Sequence, residues 1–154
     1  MRNRKHSQRG FTLVEMLIAL SIVSLAMLMA NSSFHTFRKS ATLNRAARVI
    51  AADVALTRSY AIRHRTQVAL VADESTQSYV IRDSGGTVYL TRVFDASSEM
   101  LIESLDVGIA GDSVAFNERG LMSGAGSVNI DIARSGSGRR VQVNAVGRWR
   151  ITVN

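Results

Sequence analysis

A run of 20 mostly apolar residues, 11–30, follows a basic leader and contains a single acid, Glu15. As a helix the run would be roughly 30 Å long, about the hydrocarbon thickness of a bilayer. A carboxylate in such a run costs about 2.5–3.5 kcal/mol on insertion scales. The run therefore predicts an N-terminal helix in an apolar environment, in which Glu15 needs a partner.

The leader sets the orientation of this helix. Four basic residues precede Phe11, and by the positive-inside rule they keep the N-terminus in the cytoplasm. A cleaved signal peptide normally has a shorter apolar core and a small-residue exit, but here Leu28 stands where a small residue is wanted. A plain transmembrane anchor fits the length and gives no reason for Glu15.

The pattern after residue 30 predicts a helix followed by strands. The chain has no proline, and its apolar residues recur at helical spacing, which extends one helix over about residues 12–63. From Thr66 onward the period changes to two, with glycine-rich turns at 83–86 and 135–138. The predicted fold class is α+β, with a long N-terminal helix packed on an antiparallel β-sheet domain. The predicted helix stripe is Leu43, Ala47, Ile50, Val54 and Ala61, and the predicted sheet core is Phe94, Phe116, Val128, Ile130, Ile132, Val141, Val143 and Ile151.

The composition gives no support to an enzyme or a metalloprotein. The 154 residues contain no cysteine, and the three histidines, His6, His35 and His64, are too widely spaced to share a metal. No serine lies in a nucleophile elbow, and Gly124 to Gly126 is not followed by the helix that a dinucleotide fingerprint needs. We therefore expect no catalytic residues, no metal and no cofactor.

The segment from Gly10 to Leu20 resembles the processing site of a type IV prepilin. The resemblance implies that a prepilin peptidase cuts between Gly10 and Phe11 and N-methylates Phe11. It also implies that Glu15 is an assembly residue, which meets the terminal amine of a neighbouring pilin and sets the register between subunits. On this interpretation residues 1–10 are the cleaved leader, 11–30 the transmembrane and filament-core helix, 31–64 its amphipathic continuation, and 65–154 a periplasmic β-sheet domain. The subunit would cross the inner membrane once before it enters a filament.

Beyond the leader the chain resembles the GspH/FimT group of pseudopilins and minor pilins. The matching features are residues 58–63, residues 66–68, the segment Phe116-Asn117-Glu118-Arg119-Gly120 and a closing hairpin that ends at Arg148. One branch of this group serves the pseudopilus of type II secretion, and the other serves type IV pili in filament priming or at the tip. The sequence leaves both branches open.

The C-terminal third is locally basic. From Arg119 onward six arginines are accompanied by one acid, Asp131. Some FimT-like minor pilins bind DNA through a Gly-Arg-x-Arg motif, which Gly147-Arg148-Trp149-Arg150 matches. The resemblance implies phosphate contacts from Arg148 and Arg150, a basic surface extended by Arg134, Arg139 and Arg140, and a stacking role for Trp149 if it is exposed. Strand alternation places Trp149 opposite the two arginines, however, and so predicts that it is buried. The alternative is a secretion pseudopilin that binds no DNA, in which arginines on an edge strand discourage aggregation.

Overall fold

The computed structural model describes the backbone of residues 11–94, 100, 102–108, 112–124 and 126–154, and all of these side chains except those of residues 29–36. One helix, α1, spans Leu13–His64, close to the predicted bounds. The chain divides into two compact units, Met1–Phe37 and Arg38–Asn154.

In the first unit α1 is apolar on all sides. The side chains from Phe11 to Leu28 are all exposed. The two serines in this stretch turn their hydroxyls back to the helix, since Ser21 and Ser24 donate to the carbonyls of Leu17 and Leu20, both at 2.8 Å. The polar groups of this stretch are thus satisfied internally, as an apolar environment requires.

In the second unit eight strands follow α1. They are β1 (Val68–Asp73), β2 (Ser78–Asp83), β3 (Val88–Val93), β4 (Ser104–Val107), β5 (Ser113–Phe116), β6 (Ser127–Arg134), β7 (Ser137–Asn144) and β8 (Trp149–Val153). They form two antiparallel sheets instead of one, with strand orders β3-β2-β1-β5 and β4-β6-β7-β8. The α+β class is confirmed, and the division arises because β4 pairs with β6 while β5 returns to pair with β1.

Two strand boundaries differ from the sequence prediction. The turn before β7 needs only Ser135 and Gly136, whose φ angles are 49° and 78°, so β7 begins at Ser137. Positive φ at both central residues is the geometry of a two-residue hairpin turn. Strand β4 begins later than predicted because its register with β6 places Leu105 opposite Ile132 and Val107 opposite Ile130.

One hydrophobic core joins α1 to both sheets. The five residues of the predicted helix stripe are fully buried. All predicted core residues of the sheets are buried except Ile151, which is partly buried because it lies on the outermost strand β8. Alanines on the stripe allow the sheets to approach the helix closely.

Candidate nucleic-acid interface and assembly residues

The turn between β7 and β8 is fixed by Asn144 and Gly147. The Asn144 carboxamide oxygen accepts hydrogen bonds from the backbone N–H groups of Val146 (3.2 Å) and Arg148 (2.8 Å). The backbone N–H of Gly147 donates to the Asn144 carbonyl at 2.8 Å. Gly147 has φ of 74°, which glycine adopts without steric cost. The chain therefore leaves this turn with a defined direction into Arg148.

Arg148 and Arg150 lie on the outer face of the second sheet. Arg150 is opposite Gln142 in the β7–β8 register, and both arginines are exposed. Within the described part of the chain, no hydrogen bond or ion pair engages either guanidinium. These two side chains are therefore available for an external anion.

Trp149 is not buried as alternation predicts. It points to the opposite face from the arginines and lies across from the fully buried Val143, but 48% of its surface is exposed. The reason is that β8 is the outermost strand of its sheet, so that one flank of the ring has no neighbouring strand. The exposed flank gives the motif an aromatic surface beside its two guanidinium groups.

The preceding strand β7 holds its arginines differently. Arg139 faces inward and is only 8% exposed. It donates from Nε to the Asn44 side-chain oxygen of α1 and from Nη1 to the Gly138 carbonyl, both at 2.7 Å. The expectation that Arg139 extends an exposed basic surface is therefore corrected: its parity matches that of Val141 and Val143, and it connects the sheet to the helix.

Arg140 points outward but is engaged by a carboxylate. Its Nε and Nη2 donate to the two carboxylate oxygens of Asp131 at 2.8 and 3.0 Å, and this contact raises the pKa of Arg140. Arg134 is partly buried at the end of β6, near Glu103. The backbone N–H of Ser135 donates to Glu103 and lowers the pKa of that carboxyl group. Positive charge on this face of the sheet is therefore largely compensated.

The N-terminal site is described from Phe11 onward, and Gly10 and the rest of the leader lie outside the described residues. Phe11 is 83% exposed. Glu15 accepts hydrogen bonds from the Thr12 backbone N–H and hydroxyl, both at 3.0 Å, while the Glu15 N–H donates to that hydroxyl at 3.2 Å. This reciprocal arrangement is a capping box, and it gives Glu15 a local role at the start of α1.

A buried polar cluster was not anticipated from the sequence. Asp53 of α1 is 5% exposed and accepts hydrogen bonds from the Tyr79 hydroxyl (2.6 Å) and from the Arg92 guanidinium. Burial, together with the Asp53 carboxylate, raises the pKa of Tyr79. A signal was present, because Asp53 lies three residues after Ile50 on the apolar stripe. The cluster connects α1 to the first sheet and has no accessible reactive group.

Two further searches of the described residues found no candidate site. Among these residues, no three His, Cys, Asp or Glu side chains lie close enough together to hold a metal ion. Nor does any helix within the described ranges have the length and apolar character needed to cross a membrane.

Comparisons with known proteins agree with this architecture. Residues 5–31 match the prokaryotic N-terminal methylation motif, and residues 46–147 match the family of type II transport protein GspH. A search of curated proteins gives no match.

Two solved structures have a similar fold. The type IV minor pilin FimU of Pseudomonas aeruginosa is 19% identical, with a TM-score of 0.58 over 77% of this chain and 92% of that chain. The minor pseudopilin EpsH of the Vibrio cholerae type 2 secretion system is 13% identical, with a TM-score of 0.57 over 72% of this chain and 96% of that chain. At these identities the similarity concerns the fold alone.

The helix, the two antiparallel sheets and the methylation motif define a type IV pilin-like protein. Because the GspH match extends over about two thirds of the sequence, the chain belongs to the GspH family.

Proposed function

We propose that this protein is a non-enzymatic minor subunit of a type IV pilus or of a type II secretion pseudopilus. Membership of the GspH family is the observation that carries this proposal. The methylation motif at residues 5–31 supports cleavage by a prepilin peptidase between Gly10 and Phe11, followed by methylation of Phe11. The exposed apolar side chains between Phe11 and Leu28 support residence in the inner membrane, followed by burial among the other pilins of a filament.

Within this proposal Glu15 pairs with the Phe11 amine of a neighbouring subunit. Cleavage after Gly10 would create that amine only four residues before Glu15. A carboxylate and an ammonium in an apolar filament core compensate each other's desolvation, and only one axial offset brings them together. In the uncleaved chain the same carboxylate is occupied by Thr12, so that the capping box keeps Glu15 satisfied before assembly.

The two roles of Glu15 are separable by a pair of substitutions. Glu15→Ala removes both the cap and the charge, whereas Glu15→Gln keeps a side chain that satisfies the cap but has no charge. We expect both variants to be processed at Gly10 and both to be lost from sheared filaments in immunoblots. Normal incorporation of Glu15→Gln would show that the cap is sufficient and would refute the charge pairing. Gly10→Ala serves as the control that blocks maturation itself.

A second proposed function is DNA binding by the Gly147-Arg148-Trp149-Arg150 motif. The supporting observation is the exposure of both guanidinium groups beside a half-exposed indole. Arginine forks match phosphate oxygens, and the indole flank suits stacking on a base. The competing role, a secretion pseudopilin that binds no DNA, is favoured by the fold it shares with EpsH.

Trp149 offers a direct test because it is the sole tryptophan of the chain. Titrating the full chain in a nonionic detergent with a short DNA duplex should change the Trp149 fluorescence, and salt should reverse the change. Arg148→Ala combined with Arg150→Ala should weaken binding by roughly 10–100-fold, on the scale of about 1–1.5 kcal/mol per charged contact. Unchanged affinity in this double variant would refute the motif as a DNA site.

A further inference from the structure

Arg58, near the C-terminal end of α1, contacts two separate turns of the β-domain. Its Nε donates to the carbonyl of Gly120 at 2.9 Å. Its Cδ lies against Gly147, because a Cβ atom built on that glycine would be only 2.8 Å from it. The end of α1, the 117–122 loop and the 144–147 turn therefore meet at one side chain.

Direct backbone contacts hold these segments together. The backbone N–H of Met122 donates to the carbonyl of Ala145 at 2.9 Å, which joins the loop to the turn. Gly120, with φ of 72°, packs against the helix so closely that an added Cβ would be 2.6 Å from Cδ1 of Ile62. Arg119 and Arg148, each adjacent to one of these glycines in sequence, are thus displayed from backbone segments that are fixed relative to each other.

Arg63 belongs to the same neighbourhood. It follows Ile62 in α1 and lines a shallow surface cavity together with Arg58 and Ile62. Like Arg119, Arg63 has an exposed side chain that makes no hydrogen bond or ion pair within the described residues. Both guanidinium groups are therefore available to solvent and to an external anion.

The charge balance here is strongly one-sided. The segments 58–65, 117–122 and 144–150 together contain six arginines and a single acid, Glu118. On the outer sheet face, by contrast, Arg140 is paired with Asp131 and Arg134 lies near Glu103. A polyanion approaching Arg148 would therefore meet uncompensated positive charge toward the helix end and compensated charge across the sheet.

We propose that Arg63 and Arg119 continue the phosphate-binding surface of Arg148 and Arg150 toward the end of α1. This inference rests on the proposed DNA binding and names its path, because a nucleic-acid backbone on the motif would run over the 117–122 loop and the helix end. The contacts are to phosphates, so they contribute affinity and salt dependence without sequence preference.

Three double variants of the full chain in nonionic detergent test the path. They are Arg63→Ala with Arg119→Ala, Arg148→Ala with Arg150→Ala, and Arg134→Ala with Arg140→Ala, each of which removes two positive charges. Fluorescence anisotropy of a labelled duplex over a range of salt concentrations gives the slope of log K against log salt. We expect the Arg63/Arg119 variant to lower the slope by roughly 1.5–2, because each lost phosphate contact removes about 0.7–0.9. The Arg134/Arg140 variant should change it little.

The outcomes separate the path from the function. If the Arg63/Arg119 variant behaves like the Arg134/Arg140 variant while Arg148/Arg150 loses binding, the path is wrong and the proposed function stands. Equal losses in all three would indicate diffuse attraction by net charge and would overturn the path. If no variant changes binding, the DNA function itself fails. Arg63→Lys with Arg119→Lys should retain most of the binding, which guards against a misfolded alanine variant.

Discussion

Strands β7 and β8 are neighbours in one sheet and hold their arginines in opposite ways. Arg139 and Arg140 of β7 are engaged by Asn44 and Asp131, whereas no partner within the described structure engages the side chains of Arg148 and Arg150 at the start of β8. The local sequence is equally basic in both places. Which arginines are available to a ligand therefore depends on the partners that the fold brings to them and is not visible in the local charge. Substitutions that remove one arginine at a time test this distinction.

The largest effect should come from an engaged arginine outside this hairpin, Arg92. Arg92→Ala would leave the Asp53 carboxylate buried with only the Tyr79 hydroxyl as a side-chain donor. We expect the free energy of unfolding to fall by roughly 2–4 kcal/mol, because an uncompensated buried charge is costly. Urea unfolding of the full chain in detergent measures it, with Arg82→Ala on the exposed side of β2 as the control. A loss as small as that of the control would mean that Arg92 does not stabilise the buried carboxylate.

Arg139→Ala should have the next largest effect. The substitution removes the hydrogen bond to Asn44 and the packing of the buried side-chain stem between sheet and helix. We expect a loss of about 1–3 kcal/mol in the same unfolding measurement. The matched control is Arg148→Ala on the same hairpin, which should stay within about 0.5 kcal/mol of the parent. Equal losses in the two variants would remove the distinction between the strands.

Arg140→Ala should have the smallest effect. Its pair with Asp131 has good bidentate geometry, but the Arg140 side chain is 40% exposed. An exposed pair of this kind contributes about 0.2–1 kcal/mol, and the contribution should decrease as salt is added. Unfolding curves at low and high salt check both points. A loss as large as that of Arg139→Ala would show that solvent exposure does not weaken this pair.

Much of the fold could be predicted because its signals are local. The helix stripe from Leu43 to Ala61 and the alternation of Val128, Ile130 and Ile132 repeat at the periods of helix and strand. The division into two sheets was not predictable, because it depends on β5 pairing with β1, a strand more than forty residues earlier in the chain.

The candidate site was predictable only in part. The opposite directions of Arg139 and Arg140 follow from strand alternation, since Arg139 shares its parity with Val141 and Val143. Its partner Asn44 is 95 residues away and left no local trace. Alternation gave the direction of Trp149 correctly, but its exposure depends on the edge position of β8, which is a property of the whole sheet. The spacing of Thr12 and Glu15 was a recognisable capping signal.

The shared contact at Arg58 also constrains how the sequence can evolve. The flexible stem of Arg58 fills the space that a side chain at Gly147 would need, and its Nε lies 3.0 Å from where a Cβ at Gly120 would be. A mutation that shortens Arg58 would relieve some of the crowding at both glycines, although their positive φ angles would still disfavour other residues. The three positions are therefore expected to show epistasis: a substitution harmful at one glycine becomes less harmful when Arg58 has already changed.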